Sequence, residues 1–209
     1  MSDRCAIVVF AKAPVAGYAK TRLVPALGAE GAARLARLLL TAAVEQALQA
    51  DVGPVELCCS PDATHEAFAA LAAGRRVTLT LQGEGDLGLR MGRAFDRVLA
   101  TEPRALLIGT DAPGLDAAYL RGAARALVGC DAVLGPAHDG GYTLIGLRKA
   151  AAGLFHGVSW STPHVLAQTR ARLASLGLRS IELEPLADID EPDDLRHLPA
   201  DWRLPLFER

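Results

Sequence analysis

Short apolar runs alternate with longer amphipathic stretches along this chain. Cys5–Phe10 (CAIVVF) is almost continuously apolar, the pattern of a strand buried on both faces. Glu30–Ala50 then places Leu35, Leu38, Leu39 and Ala42 at helical spacing, which predicts a helix with one buried face. Val55–Cys59 (VELCC) predicts a second strand, and Pro61-Asp62 a helix start with Asp62 as its cap. Val77–Leu81 (VTLTL) reads as a third strand, followed by the glycine-rich loop Gln82–Gly88 and a helix to about Ala100. Ala105–Gly109 (ALLIG) is a fourth strand, and Asp116 caps a helix to about Val128. Ala132–Gly135 and Thr143–Leu147 are strands on either side of His138–Tyr142 (HDGGY). Ser161-Thr162-Pro163 predicts another helix start, with Gly177 as its stop. Ser180–Glu184 alternates like a strand, and the acidic ADIDEPDDL leads into a short helix.

Strands alternating with helices predict an α/β sandwich around a mostly parallel sheet, in a single domain spanning 1–209. In such folds ligands sit beyond the carboxyl ends of the strands. Four loops are therefore candidates: Ala11–Leu23, Gln82–Gly88, Thr110–Pro113 and His138–Tyr142.

Composition narrows the function classes. Apolar residues make up 51% of 209 residues, enough for a core without disulfide staples. A net charge of −2 argues against a nucleic-acid partner, so any anion site must be local. No apolar run approaches the ~20 residues of a membrane span, and the N-terminal run lacks the form of a secretory signal. Cys5, Cys58, Cys59 and Cys130 show no C-x-x-C spacing and read as buried thiols of a cytoplasmic protein. The histidines lack zinc-ligand spacing, and G-x-S-x-G is absent, which disfavours zinc and acyl-enzyme chemistry. Nothing in the pattern speaks to oligomeric state.

The loop AKAPVAGYAKTRL holds two of the chain's three lysines, Lys12 and Lys20, with Arg22 beside the second. It is neither a P-loop nor G-x-G-x-x-G. Two readings fit it: a solvated basic loop, or a phosphate pocket in which Gly17 gives the turn and Lys20 and Arg22 the charge. Asp111, just past a buried strand, either ligates a divalent ion or caps its turn. Asp188 and Asp190 share a face if their segment is extended, and two such carboxylates call for a cation or a proton. The competing reading makes this segment a helix start, with Asp193 and Asp194 in the first turn. Asp139 could hold an acceptor hydroxyl or act as a base, and Gly140 and Gly141 suit either close ligand approach or a plain turn. Trp160 reads as core or as acceptor wall.

Taken in order, AKAPVAGYAKTRL, GDLGLRM, GTDAP, HDGGYTLIGL and ADIDEPDDL resemble a bacterial family of glycosyltransferases with a glycosyltransferase-A-like fold, over about residues 5–198. The AKTRL opening and the D-x-D-x-P-x-D-L ending are also similar to phospholactate guanylyltransferase and, more remotely, to molybdenum-cofactor nucleotidyltransferases. The resemblance implies a nucleotide-diphospho-sugar transferase fold, a three-layer α/β/α sandwich with a mostly parallel mixed sheet. It implies a transferase using Mg²⁺ or Mn²⁺ and a nucleotide-activated donor, either a nucleotide sugar or a nucleoside triphosphate, with an unspecified acceptor. The first loop would wrap phosphates at Ala11, Ala13, Gly17, Lys20 and Arg22. The nucleobase would lie by Gln82, Leu87 and Gly88. Asp111 and Asp190 would hold the metal, with Asp188 second. Asp139, Gly140, Gly141, Tyr142 and Trp160 would face the acceptor, and Lys20, Asp111 and Asp139 would carry the chemistry. Two departures stand out: Asp111 is followed by Ala112-Pro113 rather than completing Asp-x-Asp, and Gly17 is the loop's only glycine. A non-catalytic nucleotide-binding regulatory module on the same fold is the alternative of another class.

Overall fold

A computed structural model describes residues 4–200 and Trp202; the ends of the predicted 1–209 domain lie outside the described residues. The apolar run extends a little further than its pattern predicts, giving β1 over Ala6–Lys12. The other strands are β2 (Val55–Ser60), β3 (Val77–Leu81), β4 (Ala105–Ile108), β5 (Ala132–Pro136), β6 (Tyr142–Leu147) and β7 (Ser180–Glu182). They form one sheet in the order β3-β2-β1-β4-β6-β5-β7. The pairs β1/β2, β1/β4, β2/β3 and β5/β7 are parallel, and β6 runs antiparallel to both β4 and β5. The mostly parallel mixed sheet predicted from the pattern and the resemblance is therefore present.

Strand side chains alternate between faces, and β1 shows what that produces. Ile7 and Val9 join one core with α1 (Val24–Ala50), α2 (Glu66–Ala72) and α4 (Ala117–Gly129). Ala6, Val8 and Phe10 join a second core with α3 (Leu87–Leu99) and α5 (Val165–Ser175). All four cysteines are buried free thiols, and burial pushes Cys5 and Cys59 up to about 12. Among the described residues no helix is long and apolar enough to cross a membrane.

Helix starts depart from their sequence signals at two places. Asp62 does not cap α2; it accepts hydrogen bonds from the backbone and hydroxyl of Thr64, and His65 caps the helix through Ala67 N. Thr162-Pro163 does not open α5 either. Thr162 donates to Ser159 O, Ser161 turns left-handed at φ 61°, and the helix begins beyond His164. In both cases a local side-chain turn competes with the helix for the same backbone donors. Asp116 caps α4 through Tyr119 N as expected.

A third, smaller core positions the candidate site. Leu23, from the short 3₁₀ turn Thr21–Leu23, packs with Leu35 and Leu39 of α1 and with Ile189 and Leu198. This cluster clamps the acidic segment against the opening loop. The chain bends at Gly28 (φ 69°, ψ 167°), and α1 continues straight through the predicted Glu30–Ala50.

Candidate functional site

A cavity of about 470 Å³ opens beyond the carboxyl ends of β1 and β4. Its wall includes Lys12, Tyr18, Lys20 and Arg22 from the opening loop, Gln82 and Leu87, Thr110 and Asp111, Tyr142 and Thr143, and Asp190. Five separate stretches of chain thus meet where a ligand site is expected in this class of sheet.

Ile189 is the pin that joins them. Its side chain is fully buried in the third core, and its N–H donates to Asp111 O at 2.9 Å. Its carbonyl accepts from Lys20 Nζ at 2.6 Å. The same ammonium lies 2.5 Å from Asp111 Oδ1 and 2.9 Å from Asp190 Oδ1. An ammonium has three donors, and these three acceptors use them all. Lys20 also adopts left-handed backbone geometry at φ 51°, ψ 43°, an uncommon conformation for a lysine and one kept only where surroundings enforce it. Burial is the largest single influence on Lys20 and lowers its pKa, but the charges and hydrogen bonds of Asp111 and Asp190 outweigh it and leave the group above its ordinary value.

Lys20 therefore sits between the carboxylates rather than facing open cavity, because the Ile189 clamp brings Asp190 onto it. Arg22 is mostly exposed and lies 3.3 Å from Glu191 Oε1 and 4.0 Å from Asp190 Oδ2. Gly17 turns at φ 75° with open space where a side chain would stand. Ala11 and Ala13 are buried in the first core behind the wall. Gln82 is buried, and its side-chain amide donates to Ala11 O and Cys58 O, so it ties β1 to β2 beneath the cavity. Leu87 lines the cavity, whereas Gly88 turns the other way: a Cβ there would stand 2.8 Å from Trp160 and 3.0 Å from Phe155. That glycine allows α3 to pack closely on Phe155 and Trp160, and Trp160 belongs to the second core.

Asp188 does not join Asp111 and Asp190. Among the described residues no group of three or more His, Cys, Asp or Glu side chains is placed to hold a metal ion. The extended Asp188-Ile189-Asp190 segment turns Ile189 inward, and Asp188 lines a neighbouring depression of about 420 Å³ with Asp139, His138 and His197. Arg22 and Asp190 line both spaces, so the two adjoin. Asp194 serves the chain turn instead, accepting from the N–H groups of Asp190 and Glu191. In the HDGGY loop, Asp139 accepts from Gly141 N at 2.7 Å, and Gly140 packs on Pro163. Tyr142 lines the main cavity while its hydroxyl is buried; burial pushes the phenol up, and the nearby Thr169 hydroxyl opposes this weakly.

Burial, then the charges of Asp139, Asp190 and Asp194, raise Asp188 from 3.8 to about 6. The unfolded chain ionises first, so this group's contribution falls as pH rises through that window and stays unfavourable above it. Asp188→Asn should leave stability near pH 4 unchanged and raise it at pH 7.5. The gain should be under about 1 kcal/mol, because the carboxylate is partly solvated. Denaturant melts across that pH range check this, and a variant less stable at pH 7.5 would contradict it.

Lys12, Tyr18 and Ile189 were not among the residues expected from sequence. The apolar residue between two aspartates was the available signal for Ile189. For Lys12 the signal is its place in a loop that holds two of the chain's three lysines, and Tyr18 has none.

The sheet order, the three layers and the cavity at the strand ends define a nucleotide-diphospho-sugar transferase fold. The chain belongs to the family described as "Uncharacterized protein conserved in bacteria (DUF2064)", whose model matches residues 42–162. A crystal structure from Desulfovibrio desulfuricans G20, provisionally described as a nucleotide-diphospho-sugar transferase, is 30% identical with a TM-score of 0.86. The match covers 96% of this chain and 88% of that one. CMP:2-keto-3-deoxy-manno-octonic acid synthetase complexed with CTP shares the fold at 12% identity and a TM-score of 0.58, covering 97% of this chain and 99% of that one. So does Rv0371c of Mycobacterium tuberculosis H37Rv in complex with manganese, at 18% and 0.55, covering 93% and 97%. No curated protein matches the chain.

Proposed function

We propose that this protein is a metal-dependent transferase that takes a nucleotide-activated donor, a nucleotide sugar, and passes its sugar to an acceptor. The observation that carries this reading is the convergence of Asp111 and Asp190 on a single cationic point at the edge of the cavity. Two carboxylates that reach one cation fit the donor set of Mg²⁺ or Mn²⁺, which commonly takes one or two carboxylates and completes its shell with phosphate oxygens and water. Asp111 and Asp190 would hold the ion, and it would supply charge neutralisation for the departing phosphates. The manganese complex of a protein with this fold supports the same choice of ion.

The chain's own residues divide the remaining work. Cations of the opening loop face the phosphates, and Leu87 and Gln82 bound the space left for the base. The acceptor enters from the adjoining depression, where Asp139 stands on its Asx turn to orient or deprotonate the attacking hydroxyl. The acceptor oxygen then attacks the anomeric carbon as the nucleoside diphosphate leaves. A second reading, nucleotidyl transfer from a nucleoside triphosphate, is favoured by the density of cations in one loop and by the CTP complex of a fold relative. There the attack falls on the α-phosphorus and pyrophosphate leaves. A purely regulatory nucleotide-binding module does not need two carboxylates on one cation.

Calorimetric titration with nucleotide sugars, nucleoside diphosphates and nucleoside triphosphates, each with and without Mn²⁺, tests the proposal. Binding of a nucleotide sugar that strengthens with Mn²⁺ is expected. Preference for triphosphates selects the second reading, and no binding at millimolar ligand overturns both.

A further inference from the structure

Three cations line the cavity, and their surroundings differ sharply. Lys20 is saturated by two carboxylates and a carbonyl. Arg22 lies against Glu191 and Asp190. Lys12, at the end of β1, has no carboxylate within ion-pair distance among the described residues; its ammonium stands 5.5 Å from the centre of the Tyr18 ring. Tyr18 is itself 68% exposed, an unusual setting for a large aromatic ring on a cavity wall.

Charge decides which of the three can take an anion. Asp111, Asp190 and Lys20 together carry one net negative charge, so that group on its own repels phosphate. Turning Lys20 toward phosphate requires a divalent ion to take its place between the two carboxylates, because otherwise they are left half-buried without a cation. Lys12 has no such obligation. A ring face holds an ammonium by its quadrupole without neutralising it or filling its donor directions.

We infer that Lys12 is the phosphate anchor of this cavity, carried in position by the ring of Tyr18, and that Lys20 is the counter-ion of the Asp111/Asp190 pair whenever no metal ion stands between them. This rests on the reading of the cavity as a site for a phosphate-bearing ligand, and it assigns Tyr18 a positioning role. It also accounts for both lysines of the opening loop, one for the carboxylates and one for the ligand.

The probe is inorganic tripolyphosphate, whose binding does not depend on a base or sugar. Titration of the wild type should give a salt-sensitive isotherm. Lys12→Gln should weaken it at least about tenfold, the loss of one charge-assisted contact. Tyr18→Phe keeps the ring and should bind as the wild type does; Tyr18→Leu should bind a few-fold more weakly. Lys149→Gln removes the same charge from an exposed site outside the cavity and should change nothing. Because the chain has only three lysines, amine labelling read by mass spectrometry gives an independent signal. Lys12 should be modified faster than Lys20 and be protected by tripolyphosphate. Wild-type affinity in Lys12→Gln, absence of protection at Lys12, or no tripolyphosphate binding by the wild type overturns the inference. Tripolyphosphate binding that needs Lys12, with no nucleotide bound, overturns the proposed function and leaves the inference standing.

Discussion

Lys20→Met should destabilise the protein in metal-free buffer, and Mn²⁺ should restore much of what is lost. The substitution keeps the length of the side chain and removes only the charge and its three hydrogen bonds. Asp111 Oδ1 and Asp190 Oδ1 then face the same empty point, with the Ile189 carbonyl beside them. Breaking a fully buried ion pair from one side costs about 3–5 kcal/mol. Here the lysine is buried but the carboxylates are nearly half exposed, 48% and 43%, so water takes up part of the penalty. A loss of about 1–3 kcal/mol is the expected range.

The pH dependence of that loss has a definite sign. Lys20 is raised above its ordinary 10.5 in the folded chain. Its contribution is therefore complete below that pH and declines only as the folded group deprotonates in strong alkali. Between pH 6 and 9 the difference between wild type and variant should stay constant. Mn²⁺ should raise the melting temperature of the variant more than that of the wild type. A ligand at free concentration c that binds the folded state stabilises it by RT ln(1 + c/Kd), and the ion binds more tightly where no ammonium competes for the two carboxylates. Thermal melts of both proteins against Mn²⁺ concentration decide the matter. A variant indifferent to Mn²⁺ would mean that these two carboxylates are not a divalent-ion site.

This pairing marks the boundary of what the sequence makes legible. The strands, their order of appearance and the loops that follow them are written in local hydrophobic pattern, and β3 falls on its predicted bounds. Asp111 and Asp190 are legible for a similar reason: Asp111 stands three residues past the fully apolar strand Ala105–Ile108, and Asp190 follows the buried Ile189. What local pattern does not encode is which distant atom fills a hydrogen-bonding direction. Lys20 and Asp190 are 170 residues apart, and only the third core, with Leu23, Leu35, Leu39 and Ile189, brings them together. Helix starts fail by a related route. Asp62 and Thr162 have the right chemistry for caps, but nearer backbone partners claim them. Glycines divide in the same way. Gly17 stands in open space at positive φ, which suits a loop around a ligand, while Gly88 exists for contact with Phe155 and Trp160.

Gly140 and Gly141, adjacent in HDGGY, should differ sharply in their tolerance of alanine. Gly140 has φ 89°, and a Cβ there would lie 2.3 Å from Pro163 O and 2.8 Å from Pro163 Cα. Its carbonyl accepts from Leu166 N at 2.9 Å, so this loop is interlocked with the start of α5 backbone against backbone. Backbone cannot yield as a flexible side chain can. Left-handed strain and the clash together should cost about 3–5 kcal/mol. For a chain of this size that lowers the melting temperature by roughly 10 °C. Gly141 is not at positive φ, and its Cβ would meet only Asp139 Oδ1, at 3.0 Å. Gly141→Ala should therefore cost less than about 1 kcal/mol, but it should displace Asp139 from its turn and so weaken acceptor use more than donor binding. Melting curves of the two variants, with donor titrations of the stable one, separate the roles. Equal melting temperatures for Gly140→Ala and wild type would show that the loop is not locked to α5, and the Asp139 turn would then lack the rigid support it has here.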